Sequence, residues 1–188
     1  MGIGMHAYGY GYGYGYGLDM DMGIVWYRMD MGIGYKVYYS GEDTRRNGIG
    51  IILHPDLLEN ITEVQSINDR LMGLKFVKDK RVWHIISAYG PQQGCSEEEK
   101  EEFSGKLEKY IERVQRRELL VSSWGKNAHV DESSDGIEGI HGGRGFGRRN
   151  QKGEGLLELT EAKNLVVLNT QFEKRSHIVT YKSGQNET

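Results

Sequence analysis

At 188 residues the chain is long enough for one domain with a real core and too short for two comfortable ones. Its formal net charge of -3 excludes bulk electrostatic attraction to nucleic acid, so any such binding must come from a local patch. A single cysteine, Cys95, excludes an internal disulfide framework and fits a reducing compartment. No stretch approaches the roughly 18 apolar residues of a membrane span, and the basic start and apolar middle of a signal peptide are missing. An intracellular protein, nuclear or cytoplasmic, with no membrane partner is expected.

From Met1 to about Gly34 the sequence lacks the composition of a globular segment: AYGYGYGYGYG alternates Tyr and Gly, and LDMDMGIVWYRMDMGIG continues in Met, Asp and Gly. Period two is the period of a strand, yet every second residue is Gly, which forms no second face and costs backbone entropy. The tract 1–34 is therefore read as low complexity and mostly disordered, with a tyrosine-rich self-association element as the alternative.

Order is expected from Tyr35, so that 35–188 form the folded domain. YKVYYS alternates as a strand, GEDTRRNG is turn-rich, and GIGIILH is a strand whose glycines allow close approach. Thr62–Ser66 is a further short strand. DRLMGLKFVKDKRVWHIISAY has the pattern of a hairpin, with a charged turn at Lys78–Arg81, and VWHIISA is apolar on both faces, which predicts a central strand. His84 on that strand is expected to be a satisfied core histidine. Pro91 stops the ladder. Ser96 and Glu99 form a capping box, and Phe103, Leu107, Tyr110, Ile111 and Val114 recur at helical spacing, so a helix is expected over about 97–117. Leu119, Leu120 and Val121 open the next strand. The glycine-rich HGGRGFGRRNQKG then leads to a helix from about Glu154 to Lys163, and Leu165–Asn169 and Ile178–Tyr181 are the last expected strands. This order predicts an α/β fold, a mixed sheet layered with helices.

The strand that starts at Leu119 runs into Asn127, His129, Asp131 and Asp135, a composition that suggests phosphate or metal chemistry. On an extended strand Asn127, His129 and Asp131 point the same way, with Asp135 close by. His129, Asp131 and Asp135 are thus candidates for a substitute metal site, against the plainer reading of solvated loop residues. Arg144, Arg148, Arg149 and Lys152 around Phe146 suit phosphate contacts with a stacking ring, against an ordinary exposed loop. Gly143, Gly145 and Gly147 are followed by no Lys-Ser/Thr, so a nucleotide cradle is not expected.

Four segments, in order from about Gly34 to Gly184, carry a resemblance: GYKVYYSGEDTRRNGIGIIL, DRLMGLKF, the strand ending in ISAYGPQ, and LLVSSWGKNAHVDESSDGIEGIHGGRGFGRRNQKGEGLLEL with LVVLNTQFEKRSHIVTYKSG. Together they resemble the apurinic-type endonuclease domain of non-LTR retrotransposons of the RTE/BovB type and its craniofacial development protein 2-like relatives, in the endonuclease/exonuclease/phosphatase superfamily. The resemblance implies a four-layer α/β sandwich, partial in this chain, and Mg2+-dependent hydrolysis of a DNA phosphodiester. It places Tyr89 of AYGP near the scissile phosphate, makes Asn127 the transition-state asparagine and Thr180 the threonine of the TY strand, and gives Gln92 a phosphate contact.

The departures decide the expectation. Gly125 stands where the family has its catalytic aspartate, no Glu occurs before Glu42 to bind the metal, and the chain stops at Thr188, ahead of the strands that would bring an aspartate and the Asp-His pair. Losing one member of a concerted catalytic set costs about 10^4 to 10^6 in rate. A truncated, degenerate endonuclease-like domain is expected, ancestrally a Mg2+-dependent hydrolase of DNA, with catalysis lost, no metal in the family positions and no cofactor retained. DNA is the partner implied by descent. A nucleic-acid-binding or protein-interaction remnant, or the non-functional product of a pseudogene, are the alternatives.

Overall fold

A computed structural model describes residues 14–19, 24–30, 34–41, 48–92, 94–125, 128–145, 147–172, 182–183 and 186–187. The chain divides into two units, 1–125 and 126–188.

In the first unit, β1 (Tyr14–Asp19), β2 (Ile24–Asp30), β3 (Lys36–Ser40) and β4 (Ile49–Leu53) form an antiparallel sheet in that order. Two of these strands, 14–19 and 24–30, fall within the tract 1–34. A ladder is made by backbone groups, which glycine has in full, and β3 offers a patterned edge to pair with. A one-turn helix, α1 (Pro55–Leu58), follows, with Pro at its start and the His54 imidazole accepting from the Asp56 N–H.

The second sheet contains β5 (Ile61–Asn68), β6 (Leu71–Lys78), β7 (Arg81–Tyr89) and β8 (Leu119–Gly125), again in sequence order. Here β5, β6 and β7 are antiparallel, and β8 runs parallel to β7 after a crossover through α2 (Glu97–Arg113). The β6–β7 turn has Asp79 at φ 50° and Lys80 at φ 61°, the two left-handed positions of a two-residue hairpin whose twist suits the strands. VWHIISA is internal to the sheet, as its two apolar faces predicted. The capping box forms: Ser96 accepts from the Glu99 N–H at 3.2 Å and the Glu99 carboxylate accepts from the Ser96 N–H at 2.9 Å. The helix stops at Arg113, short of the expected 117, because Val114 is extended and the Glu118 carboxylate accepts from the Gln115 N–H at 3.0 Å, holding a turn instead.

The period-two alternation of β6 sends its residues into two cores. Met72, Leu74 and Phe76 pack with Tyr38, Ile49, Ile51 and Leu53 of the first sheet, so the sheets lie face to face. On the other face Gly73 lies beneath the Tyr110 ring of α2, whose Phe103, Leu107 and Ile111 are also buried. The first unit is thus helix on sheet on sheet, and the mixed α/β sandwich class predicted from the sequence is the architecture observed. His84 faces α2: its Nε2 is 3.1 Å from the Glu118 carboxylate, and its ring meets Tyr110 edge to face. The satisfied core histidine expected there is half right, since Nδ1 is buried without a partner.

The second unit is built around α3 (Gln151–Ala162) and a small core of Val130, Ile140 and Leu157. This helix starts three residues ahead of the expected Glu154 because the Asn150 side chain accepts from the Gly153 N–H at 2.8 Å. The strand expected at Leu165–Asn169 is not one. Only Val167 bridges, to His141, and Leu168–Thr170 is a 3-10 turn closed by the Thr170 hydroxyl, which donates to the Val167 carbonyl at 2.7 Å. Two short strands, Lys182–Ser183 and Asn186–Glu187, pair with each other. The expected strand Ile178–Tyr181 lies outside the described residues. Among the described residues no helix is long and apolar enough to cross a membrane.

Candidate functional site

The parallel register of β7 and β8 sets Tyr89 opposite Gly125, so the two expected site positions end their strands side by side. A Cβ on Gly125 would lie 3.2 Å from the Tyr89 ring, tight enough that the ring would have to yield. Tyr89 is half-buried against the sheet-on-sheet core. The chain turns at Pro91, and this brings Gln92 back so that its amide donates to the Tyr89 hydroxyl oxygen at 2.7 Å. Gln92 and Tyr89 are therefore together.

A residue the sequence reading left unassigned completes this patch. Arg70 enters β6 directly across the hairpin from the end of β7; its carbonyl accepts from the Tyr89 N–H at 2.8 Å and its guanidinium carbon lies 5.6 Å from the Tyr89 ring centroid. One guanidinium nitrogen reaches the Cys95 sulfur at 3.9 Å, and the other, Nη1, is buried without a partner. Among the described residues no carboxylate pairs with Arg70. The signal that finds it is hairpin register: a cation placed opposite the AYGP corner.

In the second unit the loop 128–150 folds over itself. His129 is half-buried; its N–H donates to the Asn150 side chain at 3.2 Å, and Gly147, at φ +70°, lets the loop pass where a Cβ would stand 3.2 Å from His129 Nδ1. Asp131 has φ 92°, and its Oδ1 accepts from the Glu132 N–H at 2.8 Å while Oδ2 faces Arg149 Nε at 3.9 Å. Asp135 is exposed, its N–H given to the Ser133 hydroxyl at 3.1 Å. The carboxylate of Asp131 is thus spent on loop amides and a guanidinium. No group of three His, Cys, Asp or Glu that could hold a metal exists among the described residues. The described residues at this loop do not form a Mg2+ ligand set, and no step through the ion follows from them.

The basic loop divides by role. Arg144 donates to the Gln171 carbonyl at 3.1 Å, and Arg149 lies against Asp131, so both tie the loop down. Arg148 is exposed and Lys152 half-buried, and they are the cations left for a ligand. His141, 1% exposed, accepts from the Gly143 N–H on Nδ1 at 3.0 Å, which leaves a buried Nε2 without a partner. Burial, and then the nearby Arg149, push its pKa below the usual 6.5. Asn127, Phe146 and Thr180 lie outside the described residues.

No family profile and no solved structure matches the chain. Craniofacial development protein 2 of Bos taurus is 30% identical over 143 residues, 74% of this chain and 24% of the relative. The protein of the same name from Tragulus javanicus is 29% identical over the same length and shares. The chain spans about a quarter of the length of these curated relatives. Over about three quarters of its residues the chain is homologous to craniofacial development protein 2.

Proposed function

We propose that the chain is a degenerate, retrotransposon-derived domain of the endonuclease/exonuclease/phosphatase superfamily, ancestrally a Mg2+-dependent DNA endonuclease, which no longer cleaves. Phosphodiester hydrolysis needs a group to take the proton of the attacking water and positive charge to stabilise the phosphorane. The observation that carries the reading is Gly125, in register with Tyr89 at the end of the parallel pair: the position that should supply a carboxylate has no side chain. Tyr89 and Gln92 still offer hydrogen-bond donors that orient a phosphate. Among the described residues no group of three His, Cys, Asp or Glu that could hold a metal lies beside them.

What survives is binding of a nucleic-acid backbone, inside the cell, and the free cations Arg148 and Lys152 support it. The test is nicking of supercoiled plasmid by the purified chain, with and without Mg2+, alongside Asn127→Ala. No nicking from a folded chain is expected. Mg2+-dependent nicking that disappears in Asn127→Ala would sink the proposal of lost catalysis.

A further inference from the structure

We infer that the Arg70, Tyr89 and Gln92 cluster binds the phosphodiester of nucleic acid without a metal ion, with the Arg70 guanidinium supplying the positive charge. This rests on reading the patch as a descendant of a phosphodiester site. Three observations converge on it.

The first is an uncompensated cation. Arg70 is half-buried, and among the described residues no carboxylate pairs with it, so its desolvation is not offset by a counter-ion. The Tyr89 ring and the Cys95 sulfur hold the guanidinium in place from two sides. A charge fixed in this way acts on a ligand without first losing side-chain entropy.

The second is the polarity of the neighbours. Because the Tyr89 oxygen already accepts from Gln92, the Tyr89 O–H is left to donate, and the Gln92 amide has a second N–H. Gln92 is exposed, so a ligand reaches these two donors from solvent. Arg70 Nη1 is shut in, so that nitrogen acts through its charge, with the guanidinium carbon 5.6 Å from the Tyr89 ring centroid. Donors outside and a cation behind select an oxyanion.

The third is Gly125. A carboxylate beside Tyr89 would repel a phosphate unless a metal ion lay between them; with glycine that repulsion is gone. The same replacement that removes the reaction makes the patch net positive. Loss of cleavage and gain of metal-free binding follow from one position.

The experiment is fluorescence anisotropy of a labelled DNA duplex with the full chain, across a salt series, in EDTA and then in Mg2+. Wild-type affinity is expected to be the same within about twofold in the two conditions. Arg70→Gln is expected to bind about tenfold more weakly and to lower the slope of log K against log salt by about one, while Arg70→Lys keeps the slope. Gly125→Asp is expected to bind about tenfold more weakly in EDTA than in Mg2+. Affinity that requires Mg2+ in the wild type, an unchanged slope in Arg70→Gln, or no binding by a folded chain would each overturn the inference. Plasmid nicking by the wild type would instead overturn the proposed loss of catalysis and leave the EDTA result standing.

Discussion

Adding one methyl group at Gly73 tests the packing of α2 on the second sheet. Gly73 is buried in β6, and an ideal Cβ there would overlap the hydroxyl edge of the Tyr110 ring of α2. The ring has little room to retreat: Tyr110 is 6% exposed, stands edge to face with His84 at 6.1 Å, and has the Arg113 guanidinium 5.6 Å from its centroid. Its burial, with Glu63 nearby, pushes the phenol pKa up to about 12. Two responses are open to Gly73→Ala. If α2 lifts, Phe103, Leu107 and Ile111 lose contact and the overpacking costs about 1–3 kcal/mol. If Tyr110 swings out, an aromatic side chain leaves the core at a cost of about 2–3 kcal/mol. The two routes bracket the cost at about 1–3 kcal/mol, read as a lower urea midpoint at constant slope. Tyr110→Leu shortens the obstacle, so in the double variant the penalty of Gly73→Ala should shrink to under about 1 kcal/mol, a coupling only contacting residues show. A neutral Gly73→Ala, or strictly additive losses in the double variant, would refute the packing described here.

Two further outcomes concern the second unit. Asn150→Ala removes the cap of α3 and the acceptor of the His129 N–H together, and should cost about 1–2 kcal/mol in denaturant unfolding followed by helical circular dichroism. His141 has a folded pKa below 6.5, so the unfolded chain takes up a proton before the folded one does. Its stabilising contribution is complete above about pH 6.5 and is lost as pH falls towards the folded value. His141→Asn keeps an acceptor for the Gly143 N–H, and its urea midpoint should fall less steeply than the wild type's between about pH 7 and 5. Parallel curves would mean that burial does not govern His141.

The parts of the fold legible in the sequence are those where a local pattern and the tertiary requirement agree. The β6–β7 hairpin has alternating apolar arms and a charged turn, and α2 has its capping box and a helical apolar stripe. The reading failed where another interaction outranked the pattern. Leu165–Asn169 reads as an apolar strand, yet the Thr170 hydroxyl closes a turn there, and Val166 and Leu168 stay exposed. At the site, Tyr89 and Gln92 were found through the resemblance, because the AYGP corner keeps them adjacent in sequence. Arg70 was missed because it joins them only through cross-strand register, 19 positions upstream of Tyr89. Arg149, a candidate phosphate contact weighed against an ordinary loop residue, faces Asp131, turned by its positive φ, at 3.9 Å.

The glycines of the second unit separate shape from charge. A Cβ at Gly142 would strike the Thr170 carbonyl, at Gly145 the Asp131 carbonyl, and at Gly153 the His129 carbonyl, so each abuts main chain that has nowhere to go. Arg148 is exposed and Lys152 half-buried. Under drift with no demand for cleavage, charge at these two positions is free to change one residue at a time. The winding of the loop is not, since any side chain at Gly142, Gly145 or Gly153 would pry it open. A domain built this way forgets its ligand long before it forgets its form.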